Sequence, residues 1–147
     1  MSKSYEERVS EEKSKSYKRS GTGHLDVRYE SQGDTSRYDV RLAEDRQGRL
    51  NVEFALFEGD GGPTNRFIAI TVGKPTSTRP QKLEFSTESP YFLYQSATEE
   101  WRPNQGWMTI TWDEQKKRFQ GVLEDVGNTR PQNTTKLFWG KFDVTID

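Results

Sequence analysis

The chain has 147 residues, about one domain's worth. Its 22 Lys and Arg face 23 Asp and Glu, a net charge of -1, which argues against a phosphate-binding surface and so against nucleic acid as a partner. With no Cys and one His, disulfide scaffolds, thiolate or multi-His metal centres and Cys nucleophiles are excluded, and no cofactor is expected.

Leu, Ile, Val and Phe make 28 of the 147 residues, near the roughly 20% line below which chains tend to be disordered. Disorder also wants high net charge and few aromatics. Here the charge is near zero and aromatics reach 12%, so a small aromatic core is expected. The longest apolar runs, Phe54-Ala55-Leu56-Phe57 among them, are far short of the ~20 residues of a membrane-spanning helix. Met1 to Ser20 has no apolar signal-peptide region. The expected location is cytoplasmic, or released without a recognisable signal peptide.

Residues 1–23 read as a polar, flexible tail of Lys, Arg, Glu and Ser. Ser4-Tyr5-Glu6-Glu7 fits a capping box, so a short helix is the alternative. Lys15, Lys18 and Arg19 form a basic arm suited to an acidic partner.

From residue 24 the period becomes two, the mark of half-buried strands. Leu25, Val27 and Tyr29 alternate with charges, as do Tyr38, Val40 and Leu42. A turn at Gly33-Asp34 sets Tyr29 opposite Tyr38, Val27 opposite Val40 and Leu25 opposite Leu42. It also sets Glu30 against Arg37, Arg28 against Asp39 and Asp26 against Arg41. After a turn at residues 44–48, Leu50, Val52 and Phe54 are expected to face Leu42, Val40 and Tyr38. Residues 59–65 are a loop. Phe67 to Val72, Leu83 with Phe85, and Tyr91 to Tyr94 are further short strands. A second hairpin, with Gln115-Lys116 at its tip, sets Trp112 opposite Phe119, Ile110 opposite Gly121 and Met108 opposite Leu123. The last strand carries Phe138, Gly140, Phe142, Val144 and Ile146 on one face. The whole predicts an all-β domain over residues 24–147: an antiparallel β-sandwich of about eight to nine strands, or alternatively a β-barrel.

The closing segment runs from Gly106-Trp107 through Phe119-Gln120-Gly121-Val122-Leu123 to Leu137-Phe138-Trp139-Gly140-Lys141-Phe142-Asp143-Val144. It resembles the final strands of small bacterial β-sandwich or lipocalin-like domains of unknown function. The resemblance implies a fold and not an activity.

Catalytic signals are weak. His24 sits beside Gly23 at the start of the first strand, and no Gly-x-Ser-x-Gly elbow presents a nucleophile. Ser10-Glu11-Glu12-Lys13 matches Ser-x-x-Lys without its partner motifs. The pairs Glu58 and Asp60, Glu99 and Glu100, and Glu124 and Asp125 sit at strand ends or loops, where solvated charge is the rule. Glu58 and Asp60 supply oxygens that Ca²⁺ accepts, without a ligand-spacing pattern. Asn133-Thr134-Thr135 is a glycosylation sequon in a polar loop.

The aromatics carry the functional expectation. Trp107 and Trp139 fall on the faces opposite the core, and Trp101 lies in a loop. Together with Tyr91, Tyr94, Arg102 and Asn104 they form the expected ligand-binding set, a stacking platform with polar neighbours. The expected function is a non-catalytic module that binds a glycan or protein partner through this face. The alternatives are an assembly, inhibitor or immunity-type component using a strand edge, and a barrel carrying a small apolar ligand.

Overall fold

The computed structural model describes residues 3–14, 19–29, 35–58, 65–86, 89–128 and 136–147. They form one helix, α1 (Tyr5–Ser14), and ten strands. The strands are β1 (Thr22–Tyr29), β2 (Thr35–Arg46), β3 (Arg49–Leu56), β4 (Arg66–Gly73), β5 (Gln81–Glu84), β6 (Tyr91–Ser96), β7 (Glu100–Trp101), β8 (Gln105–Asp113), β9 (Arg118–Gly127) and β10 (Lys136–Thr145). Every pairing is antiparallel, and all ten join one sheet in the order β5-β8-β9-β10-β1-β2-β3-β4-β6-β7. The all-β class follows directly. A sandwich stacks two sheets; here one continuous sheet bends round its own core.

The curl is visible in contacts between distant strands. Phe54 of β3 meets Phe142 of β10 with ring centroids 5.9 Å apart. Phe85, just beyond β5 at one edge, packs edge-on against Phe92 of β6 near the other edge, at 5.5 Å. One apolar cluster draws on β1 to β4, β6 to β10 and Phe85.

The β8–β9 hairpin has its expected register: Trp112 opposite Phe119, Ile110 opposite Gly121, Met108 opposite Leu123. Its turn is short, and Glu114 pairs with Lys117 across it at 2.5 Å. Gly121 is covered from the other side, by Phe142 of β10, its partner there.

The β1–β2 register differs from the expectation. Leu25, not Tyr29, lies opposite Tyr38, and Asp26 lies opposite Arg37. The offset is four residues. An even offset keeps every side chain on its expected face, so Leu25, Val27, Tyr29, Tyr38 and Val40 all stay in the core. Asp26 takes a two-pronged bond from Arg37, at 2.8 and 3.1 Å, in place of one from Arg41. The signs alternate along both strands, so an offset of two would set like charges opposite, whereas the expected register and the observed offset of four both set Asp26 opposite an arginine. The expected turn at Gly33-Asp34, Glu30 with it, the loop at 59–64 and the sequon lie outside the described residues.

The β2–β3 pairing also differs. β2 runs on to Arg46, and the turn is Gln47-Gly48, with φ of +55° and +77°. Positive φ at both positions is type I′ geometry, which matches the twist of paired strands. Leu50, Val52 and Phe54 therefore face Asp45, Ala43 and Val40. A bulge between Val40 and Leu42 turns Ala43 into the core and leaves Leu42 half-buried outside.

Arg41, at that bulge, is fully buried beneath α1. The N-terminal segment thus contributes a docked helix and, at Thr22 and Gly23, the first residues of β1. Ser4 caps the helix through the Glu7 amide at 3.1 Å. Alone in water a ten-residue helix is marginal, so its seat on the sheet sustains it. Val9 packs with Ala55 and Phe67, and Tyr5 meets the Phe67 ring edge-on at 5.8 Å. Arg8 gives Glu53 bonds of 2.8 and 2.6 Å and also bonds the Gln95 side chain. Arg41 reaches Glu12 at 3.0 Å and Glu11 at 2.9 Å. Burial pushes the Glu11 carboxyl up, but its bonds to Lys3 and Arg41 bring it below the ordinary carboxylate value. Arg19 of the expected basic arm is tied down too, to the Val40 carbonyl and to Glu12, both at 2.9 Å. Lys15 and Lys18 lie outside the described residues.

Candidate functional site

α1 covers the outer side of the sheet over β2, β3, β4 and β6. The outer side over β5, β8, β9, β10 and β1 carries no such cover among the described residues. Alternation along each strand decides what it displays. Met108, Leu123 and Val27 are buried, so Trp107, Glu124 and Arg28 beside them point outward. Cross-strand register then sets Glu84, Trp107, Glu124, Trp139 and Arg28 in one row across five strands. The two indoles flank Glu124. They stand two strands apart, about 9–10 Å at ordinary strand spacing.

Trp139 is 38% exposed, the one large apolar side chain so exposed among the described residues. Trp107 is half-buried, with the Lys82 ammonium 5.0 Å from its ring centroid. The next row holds Lys82, Thr109, Val122, Lys141, Asp26 and Arg37.

Two irregularities aim this row. The β8–β9 register shifts between Gln105 and Trp107, where Gly106 takes φ +95° and Asp125 takes φ +52°. A Cβ on Gly106 would collide with the carbonyl oxygens of Glu124 and Asp125, so the close strand approach needs glycine. The β1–β10 register shifts between Arg28 and Tyr29, next to Trp139. Bulges redirect side chains locally. The second also brings Leu137 into the core.

Farther along the same face lies an open groove of about 440 Å³, lined by Thr22, Gly23, His24, Lys116, Arg118, Asp143 and Thr145. Arg118 donates to Asp143 at 2.9 and 2.6 Å, and this bond holds the Asp143 carboxyl below its ordinary value. Arg37 does the same for Asp26. His24 Nε2 stands 3.9 Å from Asp26. These carboxylates are ionised acceptors at neutral pH, suited to receiving hydrogen bonds and not to donating protons.

The seven expected ligand-binding residues fall into three places. Trp107 and Trp139 share the outer row. Tyr91, Arg102 and Asn104 are half-buried at the seam where the sheet's ends meet, and the Arg102 guanidinium lies 4.8 Å over the Tyr91 ring. Trp101 and Tyr94 are core residues, 3% and 2% exposed, stacked at 5.1 Å. Trp101 leaves the platform because β7 pairs Trp101 with Tyr94 and turns the indole inward. Glu124, Glu84 and Arg28 are the row's members outside the expected set, as is Lys82 in the row beside it. The expected β8–β9 register already placed Glu124 opposite Trp107. Ser10 and Lys13 of the Ser-x-x-Lys match are exposed on α1. Compared with known protein families, with curated proteins and with solved structures, the chain matches none.

Proposed function

We propose that the protein is a non-catalytic binding module that holds a glycan across the outer face of β8, β9, β10 and β1. The observation that carries this reading is the exposed Trp139 in one row with Trp107, with Glu124 between them. A pyranose offers an apolar C–H face and a rim of hydroxyls. Indoles take the face, and flanking charged groups take the hydroxyls. Glu124, Glu84 and Asp26 accept; Lys82, Arg28 and Lys141 donate. The lowered carboxyls of Asp26 and Asp143 favour binding over acid catalysis. Both sheet edges are short, four residues in β5 and two in β7, so a partner adding a strand finds little to pair with. The same reading takes the curled sheet as the barrel alternative, with its seam at Phe85 and Phe92.

A glycan array with the intact chain, run beside Trp139→Ala and Trp107→Ala, tests it. Capture of a defined glycan, lost in both variants while their melting temperatures hold, supports the reading. An array without hits overturns it and points to a protein partner, sought next by pull-down.

A further inference from the structure

The outer row sets a repeat as well as a chemistry. Glu84, Trp107, Glu124, Trp139 and Arg28 stand one per strand across β5, β8, β9, β10 and β1. Neighbouring strands lie about 4.7–4.9 Å apart, so the two indoles repeat at about 9–10 Å. Side chains on the outside of a curled sheet splay, which widens that repeat slightly. Glu84, Glu124 and Arg28 are exposed. Among the described residues neither glutamate has an ion-pair partner, in contrast to Asp26 and Asp143. Lys82, whose ammonium lies 5.0 Å from the Trp107 ring centroid, is exposed too. Such a contact is weak at an exposed site, so a sugar can push the ammonium to the rim.

A pyranose chain joined by equatorial β-1,4 links stays extended and turns over at each link. Each sugar advances it by slightly more than the 4.7–4.9 Å that a sheet advances per strand. Every second sugar therefore offers the same C–H face at the repeat of Trp107 and Trp139. Chains with α-1,4 or β-1,3 links coil, and their like faces do not return along a straight line at that distance. Charge narrows the class further. With one sugar per strand, a carboxylate on every sugar would stand against Glu84 and Glu124. An ammonium on every sugar would stand against Arg28, with Lys82 and Lys141 in the row beside it. A neutral chain meets neither repulsion, and its hydroxyls serve both signs. Sheet twist, about 20–25° per strand, turns one indole's strand by about 40–50° relative to the other's. A single soluble chain can follow that turn, whereas a flat crystalline surface cannot.

We propose, on the reading that this face binds a glycan, that its occupant is a single neutral β-1,4-linked chain lying across the strands. Alternate sugars stack on Trp107 and Trp139, and the sugar between them donates its hydroxyls to Glu124. Three sugars are the fewest that reach both indoles. The second stack forms within a chain already held by the first, at high effective concentration, so affinity steps up at three sugars. Further sugars reach only Glu84 and Arg28 and add less.

The test titrates the full chain, by tryptophan fluorescence and calorimetry, with β-1,4-linked dimers, trimers and pentamers of glucose, N-acetylglucosamine, mannose or xylose. In at least one series the trimer should bind at least about tenfold tighter than the dimer, with a smaller gain to the pentamer, and the series that does so names the sugar. Trp139→Ala and Trp107→Ala should each return the trimer to the dimer's affinity at an unchanged melting temperature. The corresponding Phe variants, which keep a ring, should fall between, and they stand in if an Ala variant does not fold. Maltotriose, laminaritriose and the β-1,4-linked mannuronate trimer should bind no better than the dimer. The proposal is overturned if dimer and trimer bind equally in every series, if the step survives both Trp variants, or if any of these three controls matches the best trimer. Capture of other glycans on the array, lost in the same variants, would then leave the outer face a glycan site with a different ligand. An array without hits would remove the site itself.

Discussion

Glu53→Gln probes the buried contact that seats α1 on the sheet. Glu53 Oε1 accepts from Arg8 Nε at 2.8 Å and Nη2 at 2.6 Å, and it stands 3.6 Å from Arg41 Nη1. The Arg8 and Glu53 side chains are 5% and 8% exposed. Removing one partner of such a pair costs about 3–5 kcal/mol, because a charge is left buried and unbalanced. The apolar gain of docking is smaller. Burial of Val9 stabilises by about 1.5–3 kcal/mol, and the edge-on Tyr5–Phe67 contact adds about 0.5–1.5 kcal/mol. Ordering the helix offsets part of that. The variant should therefore release α1, which returns Arg8 and Arg41 to water and caps the global loss at the docking free energy. Hydrogen exchange read by mass spectrometry checks this. Amides of residues 5–14 should lose protection while β3 and β10 keep theirs. Arg8→Met combined with Glu53→Met, which removes both charges, should recover much of the helix protection. Unchanged protection at 5–14 in Glu53→Gln would refute the role given to the pair. Joint loss in α1, β3 and β4 would refute the idea that the helix lets go separately.

Two further outcomes follow from local geometry. A Cβ on Gly121 would overlap the Phe142 ring, which is fixed between Phe119 at 4.9 Å and Phe54 at 5.9 Å. Gly121→Ala should cost about 1–3 kcal/mol, read as a lower urea midpoint with an unchanged slope, and a cost under about 0.5 kcal/mol would contradict the overlap. Bonds from Lys117 and Lys74 hold the Glu114 carboxyl down to about 2 from its ordinary 4.5. A lowered carboxyl contributes stability above its unfolded value and loses it as pH falls toward its folded one. The melting-temperature gap between wild type and Glu114→Gln should thus close as pH drops from 4.5 to about 2. A gap independent of pH would count against the ion pairs.

On β1, on β8 and on β9 as far as Leu123, which side chains face the core was legible from alternation alone, because strand geometry sends successive residues to opposite faces; the bulges at Arg41 and beside Trp139 break that alternation for Leu42, Ala43 and Leu137. The β8–β9 register was legible as well. Its turn is short, its charges pair across it, and that register alone puts Glu124 opposite Trp107. Where the connection is longer, local pattern did not suffice. Asp26 can meet Arg41 or, four residues away, Arg37, and only the assembled sheet selects one. The place of Trp139 beside Glu124 depends on how β10 meets β9, and no short turn announces that. Trp101 and Tyr94 became core because the sheet's ends come together, a closure that no window of neighbouring residues contains. The helix shows the same limit. Its Lys, Glu and Ser read as a solvated tail, yet Arg8 finds Glu53 and Gln95 at sequence separations of 45 and 87 residues. Periodicity states which way a side chain points; only the folded sheet states what stands opposite it, since pairing between distant strands is set by contacts the chain makes only after it has closed on itself.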